Sequence, residues 1–98
     1  IWEPFAARRK EILTTAGERE KYLYFVTSGV QRVYYFDAQG REATLVFTYA
    51  PSFGGVLDSL LLAQPSRYYY ETLSPSAFLR ASAQDLQALM QVRPSVAA

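Results

Sequence analysis

The sequence predicts a mainly β fold, an antiparallel sandwich or barrel with short helices set into it. Three observations carry this. Short runs rich in aromatic and β-branched residues recur at roughly ten-residue spacing. Gly or Pro punctuates them at Ala16-Gly17-Glu18, Ser28-Gly29, Asp37-Ala38-Gln39-Gly40 and Ala50-Pro51-Ser52. Half of the 98 residues are apolar and 19% are charged, a balance that builds one core and does not describe a disordered tail.

Element by element, the reading begins with a helix. In residues 2–10 (WEPFAARRK), Pro4 suits a first helical turn, and Arg8, Arg9 and Lys10 suit the negative end of its dipole. Three charges at a helix end are ordinary, so phosphate binding by that triplet is the lesser reading. From Glu11 the pattern turns to strands: EILTT, KYLYFVT, VQRVYYF and REATLVFTY. Asp37 to Gly40 reads as a type I turn closed by a left-handed Gly, hence a hairpin. Phe53-Gly54-Gly55 interrupts the strands, and Val56, Leu57, Leu60 and Leu61 recur at helical spacing. This is a glycine-opened helix of about two turns, ended before Gln64-Pro65. RYYYETL and AFLRA return to strand character, and Ser82-Ala83-Gln84-Asp85 resembles a capping box for a last helix through Leu86, Leu89, Met90 and Arg93 to Pro94.

The glycine-opened helix is the most informative feature. Its first turn offers free N–H groups and a positive dipole end, and two glycines admit a ligand closely, although paired glycines also simply turn a chain.

Composition limits the chemistry. This chain has no Cys, so it forms no disulfide, iron–sulfur cluster, zinc–thiolate site or nucleophilic thiol. It has no His, so the usual general base and commonest metal ligand are missing; no metal site is expected. Ser52, Ser59 and Ser66 therefore lack a triad partner, and Glu11, Glu18, Glu20, Asp37, Glu42, Asp58, Glu71 and Asp85 show no paired spacing suited to acid–base work. No catalytic residue is expected. Ten Lys and Arg against nine Asp and Glu leave +1, which gives no footprint for nucleic acid or anionic lipid. No apolar run approaches the ~20 residues that span a bilayer, and no secretion signal is visible. A cytoplasmic protein without membrane contact is the expectation, and the start at Ile1 reads as a fragment.

Ala16-Gly17-Glu18, Tyr22 to Val26 with Ser28-Gly29, Arg32 to Tyr35, Gly40-Arg41-Glu42, and Phe53-Gly54-Gly55-Val56-Leu57 together resemble the cyclic nucleotide-binding domain. They are most similar to the sensor domain of Crp/Fnr-type bacterial transcription regulators. The likeness runs in order from about Glu11 to Arg93. It implies a double-stranded β-helix, a jelly-roll-like β-roll with short flanking helices. It also implies a phosphate-binding cassette, F-x-G-E-L followed further on by R, then S or T and A. In the family the helix-start amides and the Arg hold the cyclic phosphate, and the Glu accepts from the ribose 2′-hydroxyl. Phe53, Gly55 and Leu57 fall on this pattern, but Val56 stands at the Glu position. A ribose hydroxyl buried against Val56 loses an acceptor at ~1–3 kcal/mol. Without a gap the Arg position falls on Ser66, and Arg67 reaches it by a one-residue shift. Arg67 is read either as a phosphate ligand or as a strand-edge residue paired with Glu71 or facing solvent. In Tyr68-Tyr69-Tyr70, a stacking role on a purine stands beside plain strand alternation, which is favoured.

The resemblance thus implies a non-catalytic domain, residues 1–98, sensing a small anionic, cyclic-nucleotide-like ligand through Phe53, Gly54, Gly55, Val56, Leu57, Ser66, Arg67 and Tyr68. It needs no cofactor, is homodimeric in the full-length protein, and meets DNA only through a helix-turn-helix domain that lies outside this chain. The alternative is a degenerate β-roll kept as a structural or dimerisation module, its pocket closed by its own side chains. A cupin-like barrel binding a sugar or small acid ranks third, since the usual cupin metal site needs His. Absent Cys also removes the family's iron–sulfur sensors, and absent His argues against haem ligation by that residue.

Overall fold

The computed structural model describes residues 2–92. In chain order the elements are β1 (Glu3–Ala7), β2 (Ile12–Thr14), β3 (Tyr22–Ser28), β4 (Val30–Phe36), β5 (Glu42–Tyr49), β6 (Ser52–Gly54), α1 (Leu57–Leu62), β7 (Tyr69–Thr72), β8 (Ser76–Ser82) and α2 (Ala83–Val92). They form two four-stranded antiparallel sheets, ordered β1-β8-β3-β6 and β2-β7-β4-β5. The chain crosses between the sheets repeatedly, as a β-roll requires.

Alternation along each strand sets the core. Tyr24 and Val26 on β3, Phe78 on β8, Val33 on β4 and Tyr70 on β7 turn inward and pack with Ala7 and Val56. The Tyr24 ring meets Phe78 edge-on at 5.2 Å and Tyr70 at 5.7 Å between centroids. Gln31 and Thr72 are also fully buried, and both are bonded: Gln31 donates to Ser76 Oγ at 2.9 Å and accepts from Thr48 at 2.7 Å. Among the described residues no buried side-chain polar atom lacks a partner.

The Asp37–Gly40 hairpin forms as expected, with the Gly40 N–H donating to the Asp37 carbonyl at 2.9 Å and Gly40 at φ 78°. Ser82 caps α2 by accepting the Asp85 N–H at 3.0 Å. The expected end of α2 at Arg93 and Pro94 lies outside the described residues.

Two expectations are corrected. Residues 3–7 are strand β1, not a helix. Phe5 pairs with Phe78 across the ladder and stacks on it at 6.0 Å, and the Arg80 guanidinium lies 4.0 Å from the Phe5 ring centroid. Pro4 fits because β1 is an edge strand, where a missing N–H costs no ladder bond. The basic triplet turns the chain instead of ending a helix: the Arg8 N–H donates to Glu11 at 2.9 Å, and the Lys10 N–H to the Thr72 carbonyl at 2.9 Å. The second correction is β6, where Phe53 and Gly54 pair with Phe25 and Tyr24 before the helix begins.

Candidate functional site

The site is where β6 ends and α1 begins. Gly54 is buried against β7, and a Cβ there would stand 2.1 Å from Tyr70 Oη. Gly55 adopts φ +100°, and a Cβ on it would meet Glu20 Oε1 at 2.8 Å. Both glycines are therefore required, Gly54 by the close approach of Tyr70 and Gly55 by its positive φ and by Glu20 beside it. They turn the chain so that Val56, 2% exposed, enters the core as the N-cap residue of α1.

The two amides at this turn face side chains of the chain itself. The Val56 N–H donates to Glu20 Oε1 at 2.8 Å. The Tyr70 hydroxyl, which bonds Thr48 Oγ1 at 2.8 Å, lies against the Gly55 amide, whose dipole favours its phenolate. Burial pushes the Tyr70 phenol up to about 12. Glu20 is 6% exposed. It also accepts from Thr14 Oγ1 at 2.9 and 3.1 Å and from the Lys21 N–H at 3.1 Å. Burial raises its pKa above the usual carboxylate value, and these donors pull it part of the way back. The Glu20 N–H in turn donates to Ser59 Oγ on α1 at 2.9 Å, and Ser59 Oγ donates to the Gln64 carbonyl.

The other expected site residues are placed as follows. Phe53 is 55% exposed on the opposite face of β6, its ring 5.3 Å from Phe25 and 6.4 Å from Trp2. Leu57 is exposed on α1. Ser66 is buried and used locally, donating to the Tyr68 carbonyl at 2.7 Å and accepting the Tyr68 N–H at 3.0 Å. Its backbone straps the loop after α1 to Gly17 and Glu18. Arg67 is exposed, with its guanidinium 5.7 Å from the Tyr68 ring centroid. Together with Ser59, Leu62, Gln64 and Pro65 it lines a cavity of about 390 Å³ beside the C-terminal end of α1, one that none of Gly54 to Leu57 lines. Glu71, weighed above as a partner for Arg67, binds Arg32 at 2.9 Å, which also holds Glu42 at 2.7 Å. The three tyrosines alternate: Tyr70 is fully buried, Tyr69 stacks on Tyr34 at 5.1 Å, and half-buried Tyr68 meets Tyr35 edge-on at 5.9 Å.

Sequence reasoning did not single out Glu20 or the Tyr70 hydroxyl. Glu20, flanked by Arg19 and Lys21, stands there only among the carboxylates without paired spacing. The signal was alternation: Glu20 shares parity with Tyr22, Tyr24 and Val26, the inward series of β3. No group of three or more His, Cys, Asp or Glu able to hold a metal ion occurs among the described residues.

Comparison with known proteins agrees with this architecture. No curated protein sequence matches the chain. Among solved structures, the Thermus thermophilus catabolite activator protein superposes with a TM-score of 0.84 at 23% identity, over 98% of this chain and 45% of that one. The N-terminal domain of a transcriptional regulator from Streptomyces coelicolor A3(2) gives 0.82 at 28% identity, over 98% of this chain and 66% of that one. FixK2 from Bradyrhizobium japonicum gives 0.82 at 22% identity, over 99% and 47%. The chain thus spans less than half of two of these proteins. A sequence profile for the cyclic nucleotide-binding domain matches residues 5–93, nearly the whole chain: this protein belongs to the cyclic nucleotide-binding domain family.

Proposed function

We propose that this chain is the effector-type β-roll of a Crp/Fnr-like regulator in which the phosphate cassette is filled from within, so that it serves as a structural and dimerisation module and not as a cyclic-nucleotide receptor. The single observation that carries this is the engagement of the Val56 amide by the Glu20 carboxylate, with the Tyr70 hydroxyl set against the neighbouring Gly55 amide. A cyclic phosphate at this turn must displace a buried carboxylate of its own sign, and Val56 gives the ribose no acceptor. Arg67, the one cation in the expected constellation, lies with the far end of α1. The module role draws support from β5, an edge strand with Leu45, Val46, Phe47 and Tyr49 all about half exposed and no Lys or Pro along it. An edge left so unprotected is a ready template for pairing with another chain.

A second reading rests on the Arg67 cavity, whose Ser59, Gln64 and Arg67 suit a small anion held outside the cassette. Calorimetry separates the two. Cyclic AMP and cyclic GMP are expected to give no heat at near-millimolar concentration, and saturable heat with either overturns the filled-cassette reading. Heat with inorganic phosphate that Arg67→Ala abolishes favours the second.

A further inference from the structure

A buried carboxylate is expensive unless something specific holds it, and Glu20 has no cationic partner among the described residues. What holds it is a ring of neutral donors from three parts of the chain. These are the Thr14 hydroxyl of β2, the Lys21 amide just ahead of β3, and the Val56 amide ahead of α1. The side chain reaches that amide through the space Gly55 leaves open, since a Cβ there would lie 2.8 Å from Glu20 Oε1. Convergent hydroxyl and amide donors beside a glycine turn are what a free anion would seek. Here the anion belongs to the chain.

We propose that Glu20 is the specificity-determining residue of the cassette: a tethered carboxylate that occupies the anion position at the Val56 amide and bars phosphate-type ligands from it. This rests on the filled-cassette reading and adds that one side chain enforces it. It also follows that the donors outlive the side chain. Removing Glu20 leaves two backbone N–H groups, of Lys21 and Val56, and the Thr14 hydroxyl converging on a space the size of a carboxylate.

The test is chemical rescue of the full chain bearing Glu20→Ala, with formate as the probe and chloride at matched ionic strength as the control. The variant is expected to lose on the order of 10 °C or more in Tm. Formate is expected to restore most of this saturably and to return the Val56 and Lys21 amide resonances to their wild-type positions. The wild-type chain is expected not to respond. A variant that answers formate no more than chloride overturns the proposal, as does rescue that leaves the Val56 resonance unmoved. If Glu20→Ala does not fold, Glu20→Gln serves instead. It turns one acceptor oxygen into a donor, so hydrogen exchange at the Val56 or the Lys21 amide is expected to accelerate; full protection of both overturns the proposal. The two failures are distinguishable: cyclic-nucleotide binding by the wild-type chain sinks the filled-cassette reading, whereas a silent wild type with an unresponsive variant sinks only the role of Glu20.

Discussion

Tyr70→Phe isolates one hydroxyl without disturbing shape. Tyr70 is fully buried, and its ring packs against Tyr24 at 5.7 Å, a contact phenylalanine keeps. What is lost is the 2.8 Å bond with Thr48 and the hydroxyl that lies against the Gly55 amide. Thr48 retains Gln31 Oε1 at 2.7 Å, so the Gly55 amide is the group left without a polar neighbour from β7. A buried donor without a partner costs ~1–3 kcal/mol. Taking about 2 kcal/mol, a domain of this size loses roughly 8–16 °C in Tm. The assay is urea unfolding of both proteins with hydrogen exchange at Gly55. The midpoint is expected to fall with the slope unchanged, because the surface exposed on unfolding is the same. A loss under about 0.5 kcal/mol with unchanged Gly55 exchange refutes the assignment of that hydroxyl to that amide.

Further outcomes follow from the same geometry. Gly54→Ala drives a methyl to 2.1 Å from Tyr70 Oη and is expected to cost about 3 kcal/mol in thermal unfolding, with a smaller loss in a Tyr70→Phe background, where the nearest ring carbon is at 3.0 Å. Burial raises the phenols of Tyr24 and Tyr70, the latter to about 12. Their folded-state values lie above the unfolded value of about 10, so the stability they confer is complete below that pH and is lost as pH rises through about 12. Alkaline titration followed by absorbance is expected to show a late tyrosine fraction released together with unfolding. Phe47→Lys on the exposed edge strand β5 is expected to weaken self-association in sedimentation about tenfold, ~1.4 kcal/mol, while leaving Tm nearly unchanged.

The strands were legible wherever apolar alternation met a turn signal, and β4 runs over Val30–Phe36 as its sequence pattern indicates. The leucine spacing likewise revealed α1. The N-terminus misled because Pro4 serves a helix start and an edge strand equally well, and only pairing with β8 decides between them. Strand β6 was hidden by its three-residue length and by glycines that suit a helix entry. At the site, the glycines and Val56 were readable as a local string. Their partners were not, because Glu20 lies just ahead of β3 and Tyr70 on β7, and the crossing of the chain between sheets brings them there. A carboxylate flanked by Arg19 and Lys21 carries every local mark of the surface, and β3 parity alone places it inside.

Whether the cassette is filled from within is decided most directly at the two amides themselves. Their nitrogen–proton resonances can be recorded as cyclic AMP is added in large excess. Gly55 and Val56 are expected to hold their positions and their slow exchange, because Tyr70 and Glu20 keep them. Saturable displacement of both resonances contradicts a filled cassette and makes this chain a nucleotide receptor after all.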